Sequence, residues 1–501
     1  MKPSTTDSAF VLEEATIDSI RAAFANNTLS CAALVQAYLA RIEAYDRQGP
    51  ALHAIISVNP DALRIAAEKD RRYAAGLASL DFLHCIPVIL KDNFNTVDLP
   101  TSGANLAMQD SVAPADAFTV KKLRDAGAII LAKANLHEFA RAGLSVSSLG
   151  GQALNPYDLT RTPGGSSGGT GAAIAANFGT VGTGTDTGQS IRSPASANSL
   201  VGVRPTRGLI SRAGVIPCSF TQDELGPIAR TVRDAAQLLD VMVGYDPQDP
   251  ITAFGVGRRP ASYAAGLDAH ALQGARIGVM SNLYGTEARH AEVNQVMERV
   301  IGTMEAEGAA IVHFALPAYE QLAPTIATDR WEARAAMDRY FAELGPAAPV
   351  SSFRQLVDGK SALPQVQTIL EAEIAEEDGL NNPVYKERML SRDRLRLAVS
   401  AKMAELGIDA ILYPQQRILV VPAGESEQRE RNGALSHGTG FPAVAFPGGF
   451  SAPTASAPLG VPIGAELLGR DYSEAQLLSL AYAVEQAANA RKPPLSVPPL
   501  K

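Results

Sequence analysis

The chain has 501 residues, 46% of them hydrophobic, enough for a large buried core. Its 44 basic and 52 acidic residues leave a net charge of −8, which argues against a nucleic-acid binder, whose footprint is normally basic. The three cysteines, Cys31, Cys85 and Cys218, contain no C-x-x-C pair; neither a zinc knuckle nor a disulfide framework is suggested, and a reducing compartment is expected.

The first residues, MKPSTTDSAFVLEEATI, lack a cationic start followed by an apolar run, so no signal peptide is expected. Residues 15–45 read as two helices: Ser30 is a good N-cap, with Leu34, Tyr38 and Ile42 at helical spacing behind it. Residues 61–75 form a charged, Ala-rich helix. CIPVILKD, 85–92, is an apolar run ending in charge and reads as a buried strand. A helix over 118–126 and a strand over 127–133 follow. Residues 145–215 are rich in Gly, Ser and Thr, interleaved with apolar residues. RIGVMS and AAIVHFAL restore the strand pattern, with a helix over 293–308 between them. The segment 317–405 is helical and charged and reads as an insertion over the sheet. GIDAILYP, FPAVAFP and IGAELLG return to strand, and 473–490 is a closing amphipathic helix. KPPLSVPPLK reads as a loose end. This alternation predicts an α/β protein: a central mixed, largely parallel β-sheet flanked by helices, with a helical insertion. The whole of 1–501 reads as one domain: N-terminal helices to 75, a core over 76–316, the insertion over 317–405, and a return to the sheet from 406. The uncharged stretches 163–185 and 438–465 are too broken by Gly and Pro for membrane helices, and a cytoplasmic monomer or homodimer is expected, with neither membrane nor nucleic acid as partner.

Three segments carry chemistry. PGGSSGGTGAAIAA, 163–176, is a Gly-Ser run that opens directly into a helix; by itself it is either a flexible linker or a functional loop. GTDTGQSIRSP, 184–194, gathers Gly, Thr and Asp around Ser190; it is either an ordinary turn or a loop whose N–H groups converge on one place. Asp186 and Arg192 read as a buried structural pair. In VILKDNFNT, Lys91 ends an apolar run; it snorkels to the surface, or it is buried and loses its proton readily.

Together LKDNFNT, PGGSSGG and GTDTGQSIRSP resemble the amidase signature family, as do the later blocks GLISRAGVIPCSFTQDELGPIARTV, FPAVAFPGG and PLGVPIGAELLGR. The resemblance extends over most of the chain and is nearest the peptide-amidase and urethanase-like branch. It implies that Ser190 is the nucleophile, that Ser166, after a cis peptide from Gly165, relays its proton, and that neutral Lys91 is the base. It implies an oxyanion hole from the N–H groups of Thr187, Gly188, Gln189 and Ser190. The expected reaction is hydrolysis of aryl, alkyl or peptide amides, extending to carbamates and esters, with a small-molecule substrate and water and neither metal nor cofactor. One departure stands out: the family usually has Gly-Gly-Ser where this chain has Gly188-Gln189-Ser190, and a Gln held at positive φ would be strained.

Two other readings compete. Gly164-Gly165-Ser166-Ser167-Gly168 matches the nucleophile elbow of α/β-hydrolases, with His437 downstream, but NPYDLTRTP before it is a poor strand. The same family also includes the amidase subunit of tRNA-dependent amidotransferases, which works within a complex. No arginine stands out as a carboxylate clamp, and Trp331, Met337, Tyr340, Phe341 and Met389 could form an apolar cover from the insertion.

Overall fold

The apolar runs become strands of one sheet. In the computed structural model, which describes residues 10–77 and 80–500, these are β1 (Ile55–Val58), β2 (Pro87–Lys91), β3 (Ile129–Ala134), β6 (Val181–Asp186), β7 (Val201–Arg204), β8 (Glu224–Ala229), β9 (Arg276–Met280), β10 (Ala310–Phe314), β11 (Ala410–Pro414), β12 (Ala443–Phe450) and β13 (Pro462–Leu468). A separate small ribbon pairs β4 (Val146–Ser147) with β5 (Gly151–Gln152). The eleven strands run in the order β1-β3-β2-β6-β8-β7-β12-β13-β11-β9-β10.

The sheet is mixed and flanked by helices, but parallel pairing does not predominate. Four neighbouring pairs are parallel, two toward each end. The other six, including the whole centre, are antiparallel. Strands buried on both faces read as continuous apolar runs whichever way they pair, so their texture suggested parallel neighbours.

Helices cover both faces, among them Ile17–Ala25, Cys31–Arg41, Ala62–Ala74, Phe118–Asp125, Val232–Met242, Ala291–Ala306 and Glu474–Ala488. Ser30 caps the second, accepting from the Ala33 N–H at 3.1 Å, and that helix runs on into a π-turn, Ile42–Arg47. Between β10 and β11 the chain is mainly helical, with Asp329–Leu344 and Pro383–Leu406 the longest segments. No helix among the described residues is long and apolar enough to cross a membrane.

Two expectations fail here. Cys31 and Cys85 form a disulfide, with Cα atoms 5.5 Å apart. Their separation of 54 residues hid a contact that only folding creates. The C-terminal tail is not loose. Arg41 donates to the carbonyls of Val497 (2.8 Å) and Pro498 (3.0 Å), and Ser496 donates to Pro156 O (2.6 Å). Prolines lack an N–H, but their carbonyls still accept.

Candidate active site

Strands β2 and β6 are parallel neighbours, so their C-terminal ends lie side by side. β2 ends on Lys91 and β6 ends on Thr185 and Asp186, so the strand reaches further into GTDTGQS than the pattern suggested. The Gly-Ser run is no linker: it leads into a helix, Gly168–Ala175, whose residues are all buried. Small residues are needed there. A Cβ at Gly165 would stand 2.7 Å from the Gly143 carbonyl carbon, and one at Gly169 would stand 2.2 Å from Asn135 O. The Gly165–Ser166 peptide is cis.

This packing brings Lys91 Nζ to 2.8 Å from Ser166 Oγ and 2.8 Å from Thr185 Oγ1, which Asn93 Nδ2 also reaches at 3.0 Å. Lys91 and Ser166 are fully buried and Ser190 is 7% exposed. No carboxylate forms an ion pair with Lys91 among the described residues. The neighbouring buried lysine, Lys133, has Asp92 at 3.1 Å. Desolvation without a counter-ion pushes the Lys91 pKa down to about 7, against weaker upward pulls that include those of Asp186 and Asp223.

Ser190 follows on the loop after β6. The Ser167 N–H donates to the Ser190 carbonyl at 3.2 Å, tying the two loops together. The hydroxyls of Ser166 and Ser190 are not hydrogen-bonded to each other in this structure; catalytic contacts are often longer before substrate is bound. Gln189 does not have positive φ, so the departure from Gly-Gly-Ser carries no backbone strain. Its side chain is buried, accepting from Gln415 Nε2 at 3.2 Å. The N–H groups of Thr187, Gly188, Gln189 and Ser190 donate to no acceptor among the described residues.

Asp186 and Arg192 are a buried pair at 3.1 Å, and both are fully enclosed. The cluster is larger than sequence reasoning saw. Arg204 adds a second cation at 2.8 Å from Asp186, and Glu466 meets Arg192 at 2.5 Å. Burial alone would raise the Asp186 pKa, but Arg192 and Arg204 hold it well below the carboxylate range. The Asp186 carboxylate also accepts from the Ile191 N–H at 3.1 Å, fixing the far side of the Ser190 turn. Thr185, Asn93, Gln222 and Asp223 were missed as contributors. The only signal for the last two was the phrase SFTQDELG, whose polar residues had no visible partner.

His437 lies in a short helix, Ala434–Thr439, and does not meet Ser166; lysine, not histidine, reaches that hydroxyl. The elbow reading fails with it. His137 donates its N–H to Ser166 O at 2.9 Å, and burial, with Arg431 and Lys91 nearby, holds its imidazole neutral, with a pKa of about 3. Cys31, His84 and Cys85 bring metal-type ligand atoms within 4.8 Å of one another, but the two sulfurs are joined to each other.

Beside Thr185 and Thr187 opens a cavity of about 520 Å³, with Val215, Ile216, Phe220, Tyr340 and Leu344 in its wall. Its charged groups are already engaged. Arg212 pairs with Asp249 (2.7 Å), Arg339 with Glu343 (2.7 Å) and Asp116 with Arg124 (3.0 Å). Asp223 accepts from the Thr187 hydroxyl and from the N–H groups of Cys218 and Ser219. Trp331 and Met389 do not line it; Tyr340 does.

The chain matches the Amidase family over residues 33–478, a span that contains Lys91, Ser166, Ser190 and the insertion. The chain belongs to the amidase signature family. A probable amidase of Arabidopsis thaliana is 36% identical, over 97% of this chain and 92% of that protein. A glutamyl-tRNA(Gln) amidotransferase subunit from Alkaliphilus metalliredigens is 33% identical, over 95% of this chain and 96% of that one. Among solved structures, native peptide amidase from Stenotrophomonas maltophilia superposes with a TM-score of 0.87 at 36% identity, covering 97% of this chain and 99% of that chain. The chain is thus an amidase-family hydrolase on an amidase signature fold.

Proposed function

We propose that the enzyme hydrolyses amide C–N bonds through an acyl-enzyme on Ser190. The observation that carries this reading is a buried lysine 2.8 Å from the Ser166 hydroxyl, with no carboxylate partner among the described residues; desolvation lowers its pKa to about 7. Serine is a weak nucleophile until a base takes its proton. The Ser190 hydroxyl attacks the carbonyl carbon while its proton passes through Ser166 to Lys91. The oxygen, now negative, meets the free N–H groups of residues 187–190. As the C–N bond breaks, the proton returns from Lys91 through Ser166 to the leaving nitrogen. Water then enters and attacks the acyl carbon while its proton passes to Lys91; as the bond to Ser190 Oγ breaks, that proton returns to Ser190, releasing the acid and restoring the neutral lysine.

The cavity beside Thr187 supports a bulky, neutral substrate group, because its arginines are paired with carboxylates, Asp223 is occupied by local hydrogen bonds, and its wall mixes apolar side chains with uncharged polar ones such as Asn95 and Gln248. Aryl, alkyl and peptide amides fit this description. Carbamates, which add one oxygen at the acyl carbon, fit the same donors.

A second reading, the amidase component of a tRNA-dependent amidotransferase, draws on the 33% identity to the Alkaliphilus metalliredigens protein. The test is the purified chain alone, without tRNA, assayed on amide, anilide, carbamate and ester substrates. Hydrolysis that Ser190→Ala abolishes, with a sulfonyl fluoride label on Ser190, is the expected result. A label on Ser166 or Ser167, or turnover that survives in Ser190→Ala, overturns the assignment. Activity appearing only with tRNA and partner proteins favours the second reading.

A further inference from the structure

The direction of a backbone N–H is set by whatever holds the carbonyl of the same peptide. A trans peptide is planar, so the C=O of one residue and the N–H of the next point opposite ways. In the Ser190 loop, Gly188 O accepts from Arg192 Nη2 at 2.6 Å, which aims the Gln189 N–H. Gln189 O accepts from the Ser193 N–H at 2.8 Å, which aims the Ser190 N–H. Thr187 O accepts from Gln222 Nε2 at 3.4 Å, which aims the Gly188 N–H. The space at Gly188 is open: a Cβ there would meet nothing within 4 Å.

Gln222 is not free to turn. Its Oε1 accepts from the Thr328 N–H at 2.6 Å and the Thr328 hydroxyl at 2.8 Å. A backbone N–H can only donate, so the amide oxygen must face Thr328 and the NH2 must face Thr187. Thr328 immediately precedes the Asp329–Leu344 helix of the insertion. One turn along that helix, the buried Glu332 accepts from the Thr221 N–H (3.0 Å), the Thr221 hydroxyl (2.8 Å), the Ser219 hydroxyl and the Tyr385 hydroxyl (3.0 Å). Asp223, at the end of the clamped segment, accepts from the Thr187 hydroxyl at 2.6 Å.

We infer that Gln222 is a positioning residue for the oxyanion loop, locked by Thr328 and Glu332 of the insertion, and that it aims the Gly188 N–H at the substrate carbonyl oxygen. The inference rests on the proposed use of residues 187–190 as the oxyanion hole. Gln222 does not touch substrate; it acts through the Thr187–Gly188 peptide. The insertion therefore acts on the chemical step as well as on the cavity wall.

The test compares Gln222→Met, which removes both amide groups, with Gln222→Glu, which turns a carboxylate oxygen toward Thr187 O. Losing an oxyanion donor outright costs about 100- to 1000-fold in kcat, so a misaimed donor should cost about 10- to 100-fold in Gln222→Met, and more in Gln222→Glu. KM should change little. In Gln222→Met the loss should be equal at every pH, since that change adds no charge and leaves Lys91 untouched. Affinity for a tetrahedral mimic, a boronic acid matched to the substrate, should fall by the same factor as kcat/KM. Thr328→Val and Glu332→Gln should show smaller losses with the same signature. Full kcat in a folded Gln222→Met overturns the inference, as does a loss confined to KM or a shifted pH midpoint. Should Gln222→Met not fold, unchanged kcat in both Thr328→Val and Glu332→Gln overturns it. Turnover surviving in Ser190→Ala would instead mark failure of the underlying reading.

Discussion

Lys91 must be neutral to accept a proton, and an ordinary lysine, near 10.4, would be charged at neutral pH. With the pKa lowered to about 7, the basic form accumulates as pH rises through 7. We expect kcat/KM to climb across that point and level off above it, and Lys91→Met to lose both the climb and most of the rate. A flat profile with full activity in Lys91→Met would refute the role. The same shift acts on stability. Between about 7 and 10.5 the unfolded lysine keeps its proton and the folded one does not, so this group makes the fold more stable as pH rises through that window. Ser166 and Ser167 separate cleanly. Ser166 Oγ meets Lys91, whereas Ser167 Oγ donates only to Thr185 O, at 3.3 Å. Ser166→Ala should lower kcat by about 1000-fold or more and Ser167→Ala by less than about tenfold; equal losses would break the relay.

At the scale of elements, the insertion has a working face and a packing face. Tyr340 and Leu344 line the cavity, and Tyr340 donates to Asn95 Oδ1 at 2.8 Å. Met337 and Phe341 do not line the cavity; they pack with Met108, Phe139 and Phe353 in an apolar cluster that Tyr340 and Leu344 also join. Tyr340→Phe and Leu344→Ala should therefore change the ratio of amide to carbamate turnover. Phe341→Ala should mainly cost stability, about 3–5 kcal/mol as for other buried aromatics. A substitution on the N-terminal helices, such as Leu63→Ala, serves as the matched control. Identical substrate ratios in every variant would place specificity elsewhere.

For the molecule as a whole, the Cys31–Cys85 bond ties the start of the Cys31–Arg41 helix to the segment entering β2, the strand that ends on Lys91. Closing a loop of this length stabilises a fold by about 2–4 kcal/mol. Cys31→Ser should lower Tm while leaving kcat unchanged at temperatures where it is folded, because the proposed triad lies on other residues. A dithiol reductant should bring the parent down to the variant's Tm. Equal Tm values for oxidised parent and variant would show that the bond does not form in solution.

The elements with a local signature were readable from the residues: the apolar runs at 88–90 and 129–132, the Gly-Ser run opening a helix, the helical stretch from 317 to 405. The motifs around Lys91, Ser166 and Ser190 each left a plainer reading open by themselves; because each is short and contiguous, their joint resemblance to the amidase signature family could mark a candidate site. Tertiary structure alone decided that Lys91 is buried without a counter-ion among the described residues, 75 residues from the serine it meets. It also decided that the centre of the sheet is antiparallel, that Cys31 finds Cys85, and that Gln222 holds the carbonyl of Thr187. Periodicity and capping act within a few residues of the chain, so they leave a trace in sequence. Strand direction, desolvation and the partner of a given carbonyl depend on segments that meet only in the fold.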